Sequence, residues 1–444
     1  MKHVKRLPRD PGVTGWNAIL PPPAPARRLE ENIAADWLVV GGGFAGLSAA
    51  RRLAQQCEGD RIVLVEAGRI GEGPAGRNSG FMVDLPHNLA SENYAGAAEL
   101  DRLQTELNRA AIDFAGDAAA EYGMPEEAFQ RSGKVNGAAA QGGLDANKSY
   151  ARHLSELGEA HEMLDATDMK RLTGSDFYLG GLFTPGTAVI HPAMYVRGFA
   201  EGLARQADVF EDTPVTAMQR AGGDWLVETP KGTITAPRVI LGVNGHAESF
   251  GYYKRRLVHI HLYASMTRAL TGDEASKLGG EPRWGVTPAE PVGSTVRRIS
   301  GVGGTRIVVR NRISYTPDLA DSEARVAAMG RTQDASFAAR FPALAGIEME
   351  YRWGGRLCLS LNEVPAFGEV EEGVFSACCQ NGLGTARGTA AGMLAADLAC
   401  GSDNPHLGWM LAHEQPKRLP PEPIARIGAT ATFMWREWRA GREV

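Results

Sequence analysis

Short apolar runs near the start of the chain predict two strands joined by a helix. One run covers 37–40 and reads WLVV, and the other covers 61–65 and reads RIVLV. Runs of this length and composition are typical of buried strands. The segment from Phe44 to Ala54 between them is rich in alanine and leucine, which favour a helix. The pattern therefore predicts a strand, a helix and a second strand in succession.

The rest of the chain contains further helices and strands. Apolar residues with helical spacing, from Leu100 to Phe114, predict a helix over 97–122. An alanine-rich stretch predicts another helix over 388–400. Apolar and alternating patterns predict strands over 213–215, 224–229, 234–243, 257–267, 305–310 and 374–377.

A glycine-rich turn follows the first predicted strand. Gly41, Gly43 and Gly46 have the spacing G-x-G-x-x-G, which allows a tight turn, close approach of a pyrophosphate and close packing of helix on strand. Glu66 follows the second strand, where an acidic side chain can accept ribose hydroxyl groups. A dinucleotide site is favoured over a turn that binds nothing. The predicted contacts in this part are Gly41, Gly43, Phe44, Ala45, Gly46, Glu66 and Ala67.

Two further glycine-rich segments suggest a larger cofactor. The loop over 67–80 is longer than a plain NAD-binding unit needs. The segment over 381–388 opens the last predicted helix, whose positive N-terminal end would stabilise a negatively charged reduced flavin. Each loop alone fits an ordinary turn, but together they favour FAD. The predicted contacts in the two loops are Arg77, Asn78, Ser79, Gly80, Asn381, Gly382, Leu383, Gly384 and Thr385.

Chain length and element order predict two domains, because 444 residues exceed the size at which one hydrophobic core usually stops growing. A Rossmann-type FAD-binding domain is predicted from 36–86, 189–246 and 350–410. A substrate domain, from 87–188 and 247–349, is predicted as an insertion built on a mostly antiparallel sheet. The expected fold class is therefore α/β plus α+β.

Both ends of the chain lie outside these two domains. Residues 1–35 form a proline-rich arm that we expect on the surface, and 411–444 are expected to form a helical tail. The basic residues near the N-terminus are not followed by an apolar core, so no secretory signal is predicted.

Composition argues against several functions. The formal net charge is −5, with no overall basic field to attract nucleic acid. No run approaches the roughly 18 apolar residues of a membrane-spanning helix. The five cysteines have no C-x-x-C pair and no zinc-ligand spacing, so no metal site is predicted. Such sparse cysteines fit a reducing compartment, and we expect a cytoplasmic protein.

Over about 36–398 the chain resembles the D-amino-acid-oxidase-type FAD-dependent oxidoreductases, which include glycine oxidase and monomeric sarcosine oxidase. The matching motifs are VVGGGFAGLSAARRL with Glu66, GEGPAGRNSG, HPAMYVRGFAEGLA from His191, the strand ending at Val243-Asn244-Gly245, WGGRLCLSLNEVPAFGEV from Trp353, and Gly382-x-Gly384. The Trp353 segment is most similar to the gamma-glutamylputrescine oxidoreductase-like branch. The resemblance adds Val215, Asn244 and Gly245 to the expected FAD contacts.

This resemblance implies oxidation of a C–N bond by hydride transfer to flavin N5, giving an imine that water hydrolyses. Cys358 lies near a cysteine that bonds FAD covalently in sarcosine oxidases, but its surroundings resemble the noncovalent branch, so we expect an inert thiol and noncovalent FAD. Leu383 stands where many relatives have histidine. Val308 aligns near the oxygen-reactive lysine of sarcosine oxidase, so oxygen is expected to be a poorer acceptor than another oxidant.

Arginines on the predicted strands suggest an anionic substrate. Alternation places Arg306, Val308 and Arg310 on one face of a strand, and Arg297 stands where relatives often have an aromatic residue facing the substrate. The planar guanidinium suits a carboxylate, sulfonate or phosphate. A solvated arginine at a sheet edge is the alternative for each.

Histidines supply further candidates. His259 and His261 share a face of their predicted strand, and with no third ligand in view a packed or substrate-facing pair is favoured over a metal site. His87 and Asn88 are further pocket candidates. The predicted catalytic residues are His261, Arg297 and Arg310.

The leading hypothesis is an FAD-dependent oxidoreductase acting on a small, anionic amine or amino acid. Its partners would be that amine and either oxygen or another electron acceptor, and a homo-oligomer is left open. A 2-hydroxy-acid dehydrogenase on the same fold is one alternative, because flavin chemistry can also start from an alcohol. A noncatalytic flavoprotein subunit of an electron-transfer complex is another.

Overall fold

A computed structural model describes residues 1–86, 88, 91 and 95–444. In chain order the helices are α1 (Gly15–Ala18), α2 (Phe44–Gln56), α3 (Ala98–Glu121), α4 (Gln141–Leu157), α5 (Ala166–Thr173), α6 (Pro192–Leu203), α7 (Gly272–Leu278), α8 (Glu323–Arg340), α9 (Ala386–Cys400), α10 (Pro405–Leu411) and α11 (Ile424–Ala440). The strands are β1 (Lys2–His3), β2 (Ile33–Ala34), β3 (Trp37–Val40), β4 (Ile62–Val65), β5 (Phe81–Met82), β6 (Phe129–Gln130), β7 (Lys134–Ala138), β8 (Glu162–Asp165), β9 (Gly180–Thr184), β10 (Ala188–Ile190), β11 (Asp208–Phe210), β12 (Ala217–Ala221), β13 (Asp224–Glu228), β14 (Thr233–Ala236), β15 (Arg238–Leu241), β16 (Val258–Thr267), β17 (Trp284–Pro288), β18 (Thr295–Ile299), β19 (Arg306–Tyr315), β20 (Met349–Leu359), β21 (Ala366–Glu371) and β22 (Val374–Cys378).

A six-stranded sheet contains both apolar runs of the N-terminal segment. Its strand order is β11-β4-β3-β15-β22-β21, and all neighbours are parallel except β21 and β22. Trp37 and Val39 pack with helices α2 and α9, whereas Leu38 and Val40 pack with residues of a five-stranded sheet, β1-β12-β13-β14-β2. Both faces are covered, which explains why these strands are apolar throughout instead of alternating.

An eight-stranded sheet forms the other large layer. Its order is β20-β16-β19-β18-β17-β7-β9-β8, and only β17 and β7 run parallel. Strands β7 to β9 lie between β4 and β11 in the chain, and β16 to β20 lie between the parallel neighbours β15 and β22. The structure therefore confirms the expected fold class, with a parallel Rossmann-type sheet and a mostly antiparallel sheet. The residue boundaries proposed for the two domains stay a prediction.

Several predicted elements are confirmed with small shifts at their ends. The helix predicted over 97–122 is α3, the one over 388–400 is contained in α9, and the strand over 257–267 is β16. Strand β19 continues five residues beyond 310, to Tyr315. Among the described residues, no helix is both long enough and apolar enough to cross a membrane.

The N-terminal arm is not confined to the surface, contrary to expectation. Trp16 is completely buried, and its indole Nε1 donates to the carbonyl oxygen of Asn78 at 3.0 Å. Strand β1 pairs with β12, and β2 pairs with β14. The arm therefore packs on the rest of the protein along most of its first twenty residues, although its prolines exclude a regular helix or long strand.

Candidate active site

A cavity of about 330 Å³ lies at the carboxyl ends of the parallel strands, where open α/β sheets usually bind ligands. The turn after β3, Glu66 after β4, the loop over 71–81 and the segment over 243–246 after β15 form one part of its wall. The start of α9 and side chains of the eight-stranded sheet form the other part. Segments that are far apart in the sequence are thus brought to one place.

The glycines of the turn have different roles. Gly41 has φ +107°, which favours glycine, and a Cβ on Gly46 would lie 1.7 Å from the Gly41 carbonyl oxygen. Gly46 therefore packs the helix against the turn and does not line the cavity. Gly43 lines it, yet a Cβ there would meet no protein atom closer than 3.7 Å, from Ala75. Packing alone thus leaves room at Gly43 for a ligand on the cavity side.

Glu66 is positioned by backbone donors. Its carboxylate accepts the N–H of Gly42 at 2.7 Å and the N–H of Gly68 at 3.1 Å. Burial raises the pKa of Glu66, while these N–H groups oppose that shift. A carboxylate has about four acceptor positions, so Glu66 retains capacity for the hydroxyl groups of a ribose.

The loop over 71–81 is held from within. Asn78 Nδ2 donates to the Ala75 carbonyl oxygen at 2.6 Å, and Asn78 Oδ1 accepts the Gly80 N–H at 2.8 Å. Arg77 also borders the cavity, but its guanidinium donates to four backbone carbonyl groups, including those of Pro11 and Gly354. Arg77 therefore fixes the loop to the arm, and its predicted contact with the cofactor stays a prediction.

The start of α9 forms the opposite wall. Gly382, Leu383, Gly384 and Thr385 line the cavity, and Thr385 Oγ1 donates to the Phe81 carbonyl oxygen at 2.6 Å. Asn381 does not line it. Its amide is buried and bonds the Ser360 N–H and the Val364 carbonyl oxygen, so this residue shapes the loop from behind.

Asn244 and the cysteines near it decide how a cofactor can be held. Val215, Asn244 and Gly245 line the cavity as expected. Cys358 lies behind them, 1% exposed, and its Sγ donates to Asn244 Oδ1 at 3.0 Å. A hydrogen bond with Cys379 and burial raise the pKa of the Cys358 thiol. A protonated thiol that does not border the cavity is poorly suited to bond a flavin.

The N-terminal arm forms a wall of the cavity that the sequence pattern did not predict. Val4, Arg6, Leu7 and Pro8 all line it. Near them, Asp10 and Arg356 form a buried ion pair with contacts of 2.8 and 2.7 Å, and Arg356 also contacts His246. Burial and the Arg356 charge lower the pKa of His246 to about 3. Only long-range contacts reveal this wall, because the arm has no apolar periodicity.

The sequence of the chain matches a known family over most of its length. Residues 36–398 match the model of the FAD dependent oxidoreductase family. The chain belongs to this family. The cavity fits the FAD of such a flavoprotein, because Gly43 leaves space for a ligand and both α2 and α9 begin at its wall, where free N–H groups favour anions. With Cys358 behind the wall, FAD is bound noncovalently.

Relatives of this flavoprotein include named oxidoreductases. It is 27% identical over 408 residues to the protein named "Probable oxidoreductase OrdL" of Rhizobium meliloti, covering 89% of this chain and 90% of the relative. It is 27% identical to gamma-glutamylputrescine oxidoreductase of Escherichia coli over 85% of this chain and 86% of the relative. The solved structure of glycine oxidase from Geobacillus kaustophilus aligns with a TM-score of 0.70 at 18% identity, over 87% of this chain and 100% of that one. The fold is thus shared with glycine oxidase.

The eight-stranded sheet contributes the polar groups on the remaining side of the flavoprotein's cavity. Thr287, Thr295 and Arg310 line it, and Thr295 pairs directly with Arg310 across strands β18 and β19. Arg310 Nε donates to Ser79 Oγ at 3.4 Å. Thr295 Oγ1 is buried and has no hydrogen-bond partner among the described atoms. A ligand acceptor or donor between Thr295 and Arg310 would satisfy this hydroxyl.

Arg297 shares the sheet face of Arg310 but does not reach the same cavity. Its Nη1 donates to the carbonyl oxygens of Ser79 and Ile190, each at 2.8 Å. The loop through Ser79 and Phe81 therefore crosses the sheet face between the two arginines. Arg297 borders a separate cavity of about 370 Å³, and burial lowers its pKa to about 9. The structure does not support the predicted role of Arg297 in holding substrate beside Arg310.

The predicted catalytic His261 is also outside the FAD cavity. It lies on the face of β16 opposite Leu262, which lines the cavity. His261 is fully buried, its Nδ1 is 2.6 Å from Thr316 Oγ1, and burial lowers its pKa to about 4. His259 instead contacts Glu248 at 2.9 Å. His261 is therefore a packed, neutral histidine with no evident access to substrate.

The remaining candidates are also placed by the structure. Val308 packs with Trp16, Ala264 and Trp353 and does not line the FAD cavity. Within the described part of the chain, no three side chains of the metal-binding types cluster together. His87 lies outside the described residues. Asn88 does not line the cavity.

Proposed function

We propose that this flavoprotein oxidises the C–N bond of a small, anionic amine or amino acid. The observation that carries this proposal is the paired placement of Thr295 and Arg310 on the cavity wall, with the unpartnered Thr295 hydroxyl beside a guanidinium. A carboxylate or similar acid group would accept from both. Apolar side chains of Leu262, Ala264 and Leu383 line the same cavity and suit a short carbon chain.

The names of the relatives support an amine donor. Gamma-glutamylputrescine oxidoreductase of Escherichia coli is named for an amine. Mouse mitochondrial dimethylglycine dehydrogenase, 24% identical over 51% of this chain, is named for an amino acid derivative. Because one fold hosts many reactions, these names favour a substrate class and do not select a compound.

Bound FAD supplies the acceptor for the hydride of a C–H bond next to nitrogen. The chain's own residues bind and orient the donor: Arg310 holds the acid group, and the Thr295 hydroxyl completes its hydrogen bonds. The apolar side chains keep water away from the reacting carbon. The donor nitrogen must be unprotonated so that its lone pair can form the C=N bond, and water then hydrolyses the imine. This chemistry needs no strong acid–base pair, consistent with His261 and Arg297 lying elsewhere.

Anaerobic reduction of the bound flavin by a donor panel tests the proposal. Acidic amines and amino acids should bleach the flavin absorbance, and neutral amines of equal length should do so more slowly. Bleaching by 2-hydroxy acids alone would instead identify a 2-hydroxy-acid dehydrogenase. No bleaching by any donor, in protein that dithionite does reduce, would indicate a noncatalytic flavoprotein.

We further propose that an acceptor other than oxygen reoxidises the protein faster. Val308 stands near the position expected for an oxygen-reactive lysine, and its neighbours Trp16, Ala264 and Trp353 are apolar. A positive charge near reduced flavin would stabilise developing superoxide, and Val308 supplies none. Arg306 and Arg310 share the strand face of Val308 and are the alternative source of such a charge. Reduced protein should react slowly with oxygenated buffer and rapidly with a quinone or phenazine dye in stopped-flow mixing. Rapid reoxidation with stoichiometric hydrogen peroxide would contradict this.

A further inference from the structure

Two cysteines far apart in sequence meet at the C-terminal ends of helices α2 and α9. Cys57 directly follows α2, and Cys400 is the last residue of α9. Their Sγ atoms are 3.2 Å apart, and both residues are half-buried. The other three cysteines are 0 or 1% exposed. Cys57 and Cys400 are therefore the thiols that a small reagent in solution can reach most readily.

Helices α2 and α9, which end at these cysteines, lie side by side and begin at the FAD cavity. A Cβ on Gly392 would lie 2.1 Å from the Ala45 carbonyl oxygen, so the start of α2 packs closely on the middle of α9. Further along, Arg52 Nε donates to Asp397 Oδ1 at 2.6 Å. Residues later in α2 contact residues later in α9. The two helices therefore run parallel, with both N-terminal ends at the cavity.

The far ends of these helices are already close but not covalently joined. Gln56 Nε2 donates to Asp397 Oδ1 at 2.6 Å, and Ser402 Oγ donates to Gln56 Oε1 at 2.9 Å. A disulfide bond is about 2.05 Å long, so the sulfur atoms would have to approach by roughly 1 Å. Gly59 and Gly401 flank the pair, and a Cβ on either would meet nothing within 4 Å. The surrounding backbone thus has open space for a small shift.

We propose that Cys57 and Cys400 form a reversible disulfide bond when the protein meets hydrogen peroxide, fastening the ends of α2 and α9. The Cys57 sulfur takes one oxygen atom from the peroxide, which gives a sulfenic acid and one water molecule. The Cys400 sulfur then attacks the Cys57 sulfur, so that the S–S bond forms and the S–O bond breaks. The oxygen leaves as a second water with the Cys400 proton. Two thiols are oxidised, one peroxide is reduced, and a dithiol reductant reverses the bond.

The order of these steps follows from the surroundings of Cys400. Burial and the hydrogen bond with Cys57 raise the pKa of Cys400 to about 12. Cys400 is therefore a thiol near neutral pH and can donate its S–H to the Cys57 sulfur. Cys57, at the open end of its helix, is the sulfur that reacts first.

The disulfide bond would stabilise helices α2 and α9, and the parallel sheet on which they pack, against unfolding. It closes a loop between positions 343 residues apart, and cross-links over long loops restrict the unfolded chain strongly. It also keeps α2 and α9 together at the ends remote from FAD, without placing any new group in the cavity. Oxidised protein should therefore unfold at a higher temperature and release FAD at that higher temperature, with its flavin spectrum unchanged.

Thiol counting on the intact holoprotein tests the proposal. After mild peroxide treatment and removal of the reagent, the thiols titrated in denaturant should fall from five to three, because two are consumed. Intact mass should fall by two hydrogen atoms, and proteolytic peptides should contain a Cys57–Cys400 link. The unfolding temperature should rise in wild type and return with dithiothreitol.

Cys57→Ser and Cys400→Ser are the matched controls. Each removes the pair but leaves Cys358, Cys378 and Cys379, so peroxide should neither reduce the mass nor raise the unfolding temperature. Five free thiols after oxidation would overturn the proposal, as would a link joining Cys358 to Cys379. An increase in mass by oxygen atoms without a cross-link would also overturn it, because Cys57 would then be oxidised without reaching Cys400.

Discussion

Gly43 distinguishes space left for a ligand from space that the fold requires. A Cβ at Gly43 would meet no protein atom closer than 3.7 Å, and the Gly43 backbone is extended with φ −91°, whereas a Cβ at Gly46 would collide with a carbonyl oxygen. Gly43→Val should therefore fold but lose at least about tenfold in FAD affinity, roughly 1.4 kcal/mol. Flavin absorbance per protein and circular dichroism measure the two effects separately.

Gly46→Ala supplies the opposite control for this prediction. Because its added Cβ would lie 1.7 Å from Gly41, this variant should lose structure together with FAD. A Gly43→Val protein that binds FAD like wild type would show that the cofactor does not pass Gly43.

Arg310 and Arg297 allow a direct comparison of two arginines on one sheet face. A charge-assisted hydrogen bond is worth about 1.5–3 kcal/mol, so Arg310→Met should lower kcat/KM for an acidic amine by roughly ten- to a hundredfold. A neutral amine of equal length should be affected much less. Arg310→Lys should recover part of the loss, because a point charge replaces the planar fork.

Arg297→Met should behave differently, because Arg297 donates a hydrogen bond to the carbonyl oxygen of Ser79 and does not line the FAD cavity. It should lower the unfolding temperature while leaving the preference for acidic over neutral amines unchanged. If Arg297→Met abolished that preference and Arg310→Met did not, the two roles would have to be exchanged.

At the scale of elements, the N-terminal arm is attached to the rest of the protein at several points, although its sequence resembles that of a dispensable leader. Strand β1 at the start of the arm pairs with β12, and Asp10 forms an ion pair with Arg356. Further along, the side chain of Trp16 in α1 is completely buried. Between these attachments the arm borders the FAD cavity through Val4, Arg6, Leu7 and Pro8. We therefore expect the arm to slow the entry and release of FAD.

Removal of residues 1–12 should accordingly speed FAD release by about tenfold or more, because apolar wall and a buried ion pair are lost together. Asp10→Asn, which keeps the arm but leaves Arg356 without its carboxylate partner, should produce a smaller increase in the same rate. Recovery of flavin fluorescence after dilution measures both rates. Equal rates in wild type and the truncated protein would exclude the arm as a barrier to FAD.

The whole molecule contains buried histidines that make its stability depend on pH. Burial first, and nearby arginines second, lower the pKa of His191 and His246 to about 3, and burial lowers that of His261 to about 4. Their unfolded pKa is near 6.5. As the pH falls below 6.5, the unfolded state therefore binds protons that the folded state does not, and stability decreases until the folded pKa is reached.

Each histidine should contribute up to about 1.4 kcal/mol per pH unit in that interval. Glu443 acts in the opposite direction between pH 7 and 4.5, because burial raises its folded pKa to about 7 and acid then stabilises the fold. Glu66, whose folded pKa burial also raises, acts in the same direction as Glu443. The three histidines outweigh these two carboxyl groups, so the denaturant midpoint should fall between pH 6.5 and 4.5. His261→Gln should reduce this slope, and a midpoint independent of pH would contradict the neutral state of these histidines.

The sequence by itself determined the parts of the protein that depend on local pattern. The strands over 37–40 and 62–65, the glycine turn at Gly41 and the position of Glu66 follow from spacing along a short stretch of chain. Such features are encoded locally, because apolar runs, turn glycines and helix starts each require particular residue types at fixed separations. The family resemblance over 36–398 extended this reading to FAD, and the family match supports it.

Only the tertiary structure decided which side chains share a cavity. Alternation placed Arg306, Val308 and Arg310 toward one face, and strand pairing in the structure adds Arg297 to that face. The loop through Ser79 crosses the face and separates Arg297 from Arg310. Alternation along β16 also left open which face of that strand borders the FAD cavity. In the structure Leu262 lies on the cavity face and His261 on the opposite face. The arm closes the cavity through Asp10 and Arg356, partners 346 residues apart. Contacts over such distances depend on how whole elements pack, and local periodicity contains no information about that packing.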